Sequence, residues 1–130
     1  MTARLFMDPE FVSRATKNDV TSDMLCAAAK EIEAGLIDAR LGGHLVKERV
    51  AAPGRGERGR YRTILACRHA DRLVFLHGFE KKEKENISQA ERGVLLKLGD
   101  QYMKYDGPMP ARLGEQGLLV EINCHDQPNT

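Results

Sequence analysis

Tryptophan is absent from this chain, and its 130 residues hold only three tyrosines and four phenylalanines. That shortage makes base stacking on aromatic rings a weak way for the protein to grip a free single strand. No apolar run approaches the roughly 18–20 residues that span a bilayer. The opening MTARLFMDPE lacks the apolar core of a signal peptide, so a cytoplasmic protein with no membrane partner is expected. Cysteine occurs three times, at Cys26, Cys67 and Cys124, an odd and widely spaced set that excludes a disulfide framework and suits a reducing compartment. Cys67 and His69 with Cys124 and His125 match no standard structural zinc spacing, so neither metal nor cofactor is expected. Internal repeats and low-complexity tracts are missing too.

What is present is ordinary in bulk and polarised in detail. Hydrophobic residues make up 42% and charged residues 30%, a balance that fits one compact domain with a genuine core. The formal net charge of +1 conceals a division. Lys47 to Lys84 hold eleven Lys/Arg against five Asp/Glu, a net of +6, and the other residues hold nine against fourteen, a net of −5. A basic stretch of this kind is an electrostatic footprint for a polyanion such as RNA.

The order of elements reads as a small α+β domain, helices packed on one face of a mainly antiparallel sheet. Residues 2–6 form a first strand. Asp8-Pro9 caps a short helix to about Ala15, and Thr21 or Ser22 caps a second, with Leu25, Ala28, Ala29 and Ile32 at helical spacing and Gly35 at its end. Gly42-Gly43 turns a hairpin between LIDARL and HLVKERV. PGRGERG is an exposed loop, and it is no phosphate loop because the lysine-serine/threonine ending and following helix are missing. A strand over 60–68 alternates Tyr61, Thr63, Leu65 and Cys67 with Arg62, Ile64, Ala66 and Arg68. His69 to Asp71 turn the chain into an apolar, central strand over 72–79, on which His77 shares a face with Phe75 and Phe79 as a core or rim residue. Ser88 and Glu91 make a capping box for a helix to about Lys104, with Val94, Leu95, Leu98 and Tyr102 as its buried stripe. GLLVEI supplies a last edge strand. Residues 1–123 are expected to be a single domain, and 124–130 a flexible tail.

Two segments carry a resemblance over about residues 20–105. EAGLIDARLGGHLVKERVAAPGRGERGRYRTILAC followed by RLVFLHGFEKKEKENIS is similar to the HigB-like branch of the RelE toxin superfamily. Arg60 stands where that pattern has a glycine, and His77 where it has an aromatic residue. The resemblance implies a microbial-ribonuclease-like sheet with two N-terminal helices on one face and a C-terminal helix. It also implies a type II toxin that cleaves messenger RNA on the ribosome, inhibited by a helix-turn-helix antitoxin encoded by the adjacent gene.

Metal-free RNA cleavage takes its nucleophile from the 2′-hydroxyl, so the enzyme supplies proton transfer and cations. Arginine suits the phosphorane because its planar fork binds oxyanions bidentately and keeps its charge. Lysine can act as base where neighbouring cations depress its pKa. By resemblance the catalytic set is Arg62 with Lys81, Lys82 and Lys84. An antiparallel pair turning at 69–71 places residues near 61–62 opposite those near 78–80, which independently brings these cations to one sheet end. Lys47, Arg49, Arg55, Arg58, Arg60 and Tyr61 complete the expected RNA-contacting set. Plainer readings stand beside these: Arg62 pairing with Glu80 or Glu83, the lysine run as a solvated turn, Tyr61 as a half-buried sheet aromatic. Competing functions are a gyrase-inhibiting toxin of the related ParE type and a non-catalytic nucleic-acid-binding module.

Overall fold

The computed structural model describes residues 4–50, 61–68, 72–80, 87–104 and 119–124. The chain runs through β1 (Arg4–Met7), α1 (Pro9–Lys17), α2 (Ser22–Glu33), β2 (Ala39–Gly42), β3 (Leu45–Val50), β4 (Tyr61–Arg68), β5 (Arg72–Glu80), α3 (Gln89–Met103) and β6 (Val120–Ile122). Local chemistry sets most of these boundaries. Asp8 caps α1 by accepting from the Glu10 N–H, with proline at the first helical turn. Thr21 caps α2, and Ser88 and Glu91 exchange hydrogen bonds as a capping box at the start of α3. Gly42 and Gly43 carry φ values of 101° and 53°, which only glycine adopts cheaply, and so turn β2 into β3.

The six strands lie in the order β2-β3-β4-β5-β1-β6. Only β1 runs parallel to its neighbour β5, and the other pairings are antiparallel. The expected α+β class therefore holds, but the layering differs. Helices α1 and α2 cover one face, packing Phe11, Leu25, Ala28 and Ile32 against Leu65, Leu73 and Phe75. Helix α3 covers the other, placing Leu95 and Met103 on Ile64, Ala66, Val74 and Leu76. The cause is visible in β4 and β5, which are apolar on both sides and need cover on both.

Two smaller expectations also change. β5 carries a bulge: Ile64 pairs with His77 but Leu65 with Phe75, leaving Leu76 as the extra residue. His77 and Phe79 consequently stand on the α3 side, whereas Phe75 packs against Phe11 on the opposite face with ring centroids 5.4 Å apart. On α3 the buried stripe is Leu95, Gly99 and Met103, and Val94 is 66% exposed.

The cysteines are the clearest correction. Cys26 on α2 and Cys124 just past β6 form a disulfide, with Cα atoms 5.9 Å apart across 98 residues of sequence. Pairing of β6 with β1 carries Cys124 back to α2, a tertiary event that spacing alone does not reveal. Cys124, read from sequence as the start of a loose tail, is thus covalently anchored, and it is not available to a zinc set.

Candidate active site

The described cations of the basic stretch fall into two groups with different surroundings. Arg68 and Arg72, on the β4–β5 end nearest the turn, serve the fold. Arg68 Nη1 donates to the Met103 carbonyl at 2.8 Å and Arg72 Nη1 to the Tyr102 carbonyl at 3.4 Å. Helix α3 has no basic residue in its last turn, so these two arginines satisfy its C-terminal carbonyls from the sheet.

The second group gathers at the opposite sheet end, on the α3 side and beyond the start of that helix. Strand alternation places Leu45, Lys47 and Arg49 of β3 on this face together with Arg62 and Ile64 of β4. Arg49 pairs directly with Arg62, and Lys47 with Ile64. Two guanidinium groups facing each other across a ladder repel, so such a pair needs an anion. Asp38, immediately before β2, provides it. Its carboxylate lies 3.2 Å from Arg49 Nη2, 3.8 Å from Arg62 Nη1 and 4.0 Å from Lys47 Nζ. The Asp38 N–H donates to the Lys47 carbonyl at 3.0 Å, which holds the Asp38 backbone beside the three cations.

Arg62 is the most enclosed of the three. Its side chain is only 13% exposed, against 47% for Arg49. Its Nε and Nη1 are buried and find no hydrogen-bond acceptor among the described residues. A buried guanidinium with unmet donors is costly in a core, and is the arrangement that welcomes an oxyanion. The register sets Arg62 opposite Phe79 and Tyr61 opposite Glu80, the bulge at Leu76 having moved each partner one residue along β5. Glu80 falls on the face shared with Tyr61, and among the described residues Arg62 pairs with the carboxylate of Asp38.

Tyr61 belongs to the core. It is 2% exposed, within the α1–α2 layer, so its ring offers no face to a base. Arg55, Arg58, Arg60, Lys81, Lys82 and Lys84, along with Glu83, lie outside the described residues. Of the residues read as functional from sequence, the structure therefore brings together Lys47, Arg49 and Arg62 and buries Tyr61 on the opposite face. Asp38 was missed. An aspartate before a strand carries no signal until three cations from two other strands are seen around it.

Two further groups border the site without joining it. His77 is buried, with Nε2 3.9 Å from Glu91 Oε2 at the start of α3. On the reverse face, buried Glu48 has its carboxyl pushed up to about 8, first by burial and then by the neighbouring Glu31 carboxyl and its charge; the Asp38 backbone lowers it and the Asp38 charge raises it. That shift favours the protonated form of Glu48 and so reduces the negative charge behind the cations.

No helix among the described residues is long and apolar enough to cross a membrane. No curated protein matches the chain. One family model does, that of the RelE toxin of the RelE/RelB toxin–antitoxin system, over residues 3–122.

Proposed function

The chain belongs to the RelE toxin family of toxin–antitoxin systems, and from that premise we propose that it is a ribosome-dependent mRNA endonuclease of the HigB-like branch. The observation that carries this reading is Arg62: an enclosed guanidinium with unmet donors, flanked by Lys47 and Arg49, on a sheet end. The sequence enters its lysine-rich segment, Lys81, Lys82 and Lys84, directly after Glu80, the residue paired with Tyr61.

In this scheme Arg62 binds a non-bridging oxygen of the scissile phosphate and stabilises the charge that grows there as the 2′-oxygen attacks. Lys47 and Arg49 hold the flanking backbone, contacts that set position and not sequence. One lysine of the 81–84 segment takes the 2′-hydroxyl proton, and another cation assists departure of the 5′-oxygen. The scarcity of aromatic side chains fits an enzyme whose RNA is presented by the ribosome. That substrate implies a cytoplasmic protein.

Family membership implies an antitoxin partner. We assign it as a helix-turn-helix protein encoded by the adjacent gene, carrying an acidic segment toward this cationic face. The discriminating experiment maps new 5′ ends of cellular RNA after induction. Cuts within translated messages, lost when initiation is blocked, are expected. Intact messages with DNA breaks and gyrase complexes would instead identify a gyrase poison.

A further inference from the structure

We propose that Asp38 is a positioning residue whose carboxylate stands in for a phosphate group among Lys47, Arg49 and Arg62 until RNA displaces it. The inference rests on the RNA-cleaving reading of this face and adds a residue to it.

The geometry is that of an oxyanion held by three cations. Arg49 donates to Asp38 Oδ1 through both Nη2, at 3.2 Å, and Nε, at 3.4 Å. The other oxygen, Oδ2, faces Arg62 Nη1 at 3.8 Å and Lys47 Nζ at 4.0 Å. Charge-assisted hydrogen bonds run about 2.7–2.9 Å, so Asp38 attracts Arg62 and Lys47 without closing a hydrogen bond to either. Arg62 is held in direction yet keeps its donors for a further acceptor. A carboxylate and a phosphate present the same paired oxygens to a guanidinium fork, so the two compete for one place.

Asp38 is also suited to being moved aside. It lies outside the strand proper, in the bend between α2 and β2, and its side chain keeps 19% exposure. Its tie to the sheet is the backbone N–H to the Lys47 carbonyl, which a rotation of the side chain leaves intact. Two consequences follow with opposite signs. Asp38 lowers affinity for RNA, because its charge must be displaced. It raises turnover, because it keeps mutually repelling Arg49 and Arg62 in place before substrate arrives.

The test uses the full chain. In the wild type, the Arg62 Hε–Nε resonance and the Asp38 carboxyl carbon are followed by NMR. Inorganic phosphate is titrated first, then a ten-nucleotide 2′-O-methyl RNA, which cannot be cleaved. Both signals should shift with one common Kd. The Asp38→Asn variant should bind that RNA about five- to tenfold more tightly, by removing one repelling charge at close range, while kcat on programmed ribosomes falls about tenfold and KM falls with it. Asp38→Glu, which restores the charge, should return Kd to near the wild-type value.

Arg62 shifting while the Asp38 carbon stays still, or Asp38→Asn binding no tighter than wild type, overturns the inference, and the first outcome needs no variant to fold. If both signals shift together but neither protein cleaves message, the anion role of Asp38 stands and the nuclease reading fails. If the wild type cleaves and Asp38→Asn changes neither Kd nor kcat, the nuclease reading stands and the Asp38 role fails.

Discussion

The phenol end of Tyr61 occupies the space that a side chain on Gly78 would need: a Cβ built there would lie 2.4 Å from Tyr61 Cε2. The two residues sit on neighbouring central strands, two register positions apart and diagonal to each other, and the absence of a side chain at 78 lets the ring close the α1–α2 layer. Gly78→Ala must push the ring out, and is expected to cost about 1–3 kcal/mol as an overpacking change. Urea denaturation of the purified variant measures this. The same relationship predicts that Tyr61→Phe keeps RNA affinity unchanged, since the ring is core and not a stacking platform.

A second tie joins the ends of two helices on opposite faces. The Tyr102 hydroxyl donates to Asp8 Oδ1 at 2.7 Å, while Asp8 Oδ2 caps α1. Burial first, then the bond to Asp8 and its charge, raises the tyrosine pKa. Tyr102→Phe should lower stability by about 1–2 kcal/mol, read as a shift in denaturation midpoint with an unchanged m-value.

The pH dependence of stability should carry the signature of Glu48. An ordinary glutamate ionises near 4.5, whereas folded Glu48 holds its proton to about 8. Between these values the folded state binds more protons than the unfolded state, so stability falls as pH rises and is lost through about pH 8. Thermal melts of the wild type from pH 5 to 9 should show this decline. Glu48→Gln, neutral throughout, should flatten it and be the more stable protein at pH 8–9. A parallel decline in both proteins would assign the effect to other groups.

The lysines of the 81–84 segment are predicted to be unequal. Single changes of Lys81, Lys82 and Lys84 to alanine should give one large loss in the cleavage step and two milder, salt-dependent losses in binding. Three equal, mild losses would reduce the segment to general electrostatics.

Much of this fold was legible because local chemistry specified it. Asp8-Pro9, Thr21 and the Ser88–Glu91 capping box mark helix starts within a residue, and Gly42-Gly43 marks the hairpin. The expected antiparallel pairing of β4 with β5 put residues near 61–62 roughly opposite those near 78–80, and Arg62 does lie opposite Phe79. What escaped needed tertiary information. The bulge at Leu76 reverses which face His77 and Phe79 occupy, and nothing local announces it. The apolar run of β5 suggested a central strand, yet its full consequence, a helix on each face, follows only once both sides are seen buried. At the candidate site, the charge excess marked a basic region but not how its described cations divide. Arg68 and Arg72 cap a helix, while Lys47, Arg49 and Arg62 converge around an aspartate. The Cys26–Cys124 bond likewise depends on an edge strand that returns the chain to α2.

The central claim, that Arg62 is the transition-state cation of an RNA-cleaving site, is tested most directly by single-turnover cleavage of a message on programmed ribosomes by wild type and Arg62→Ala. The account predicts a cleavage rate about 10²–10³ lower in the variant, with its denaturation midpoint and ribosome binding retained. Cleavage at the wild-type rate by a folded Arg62→Ala protein would contradict it.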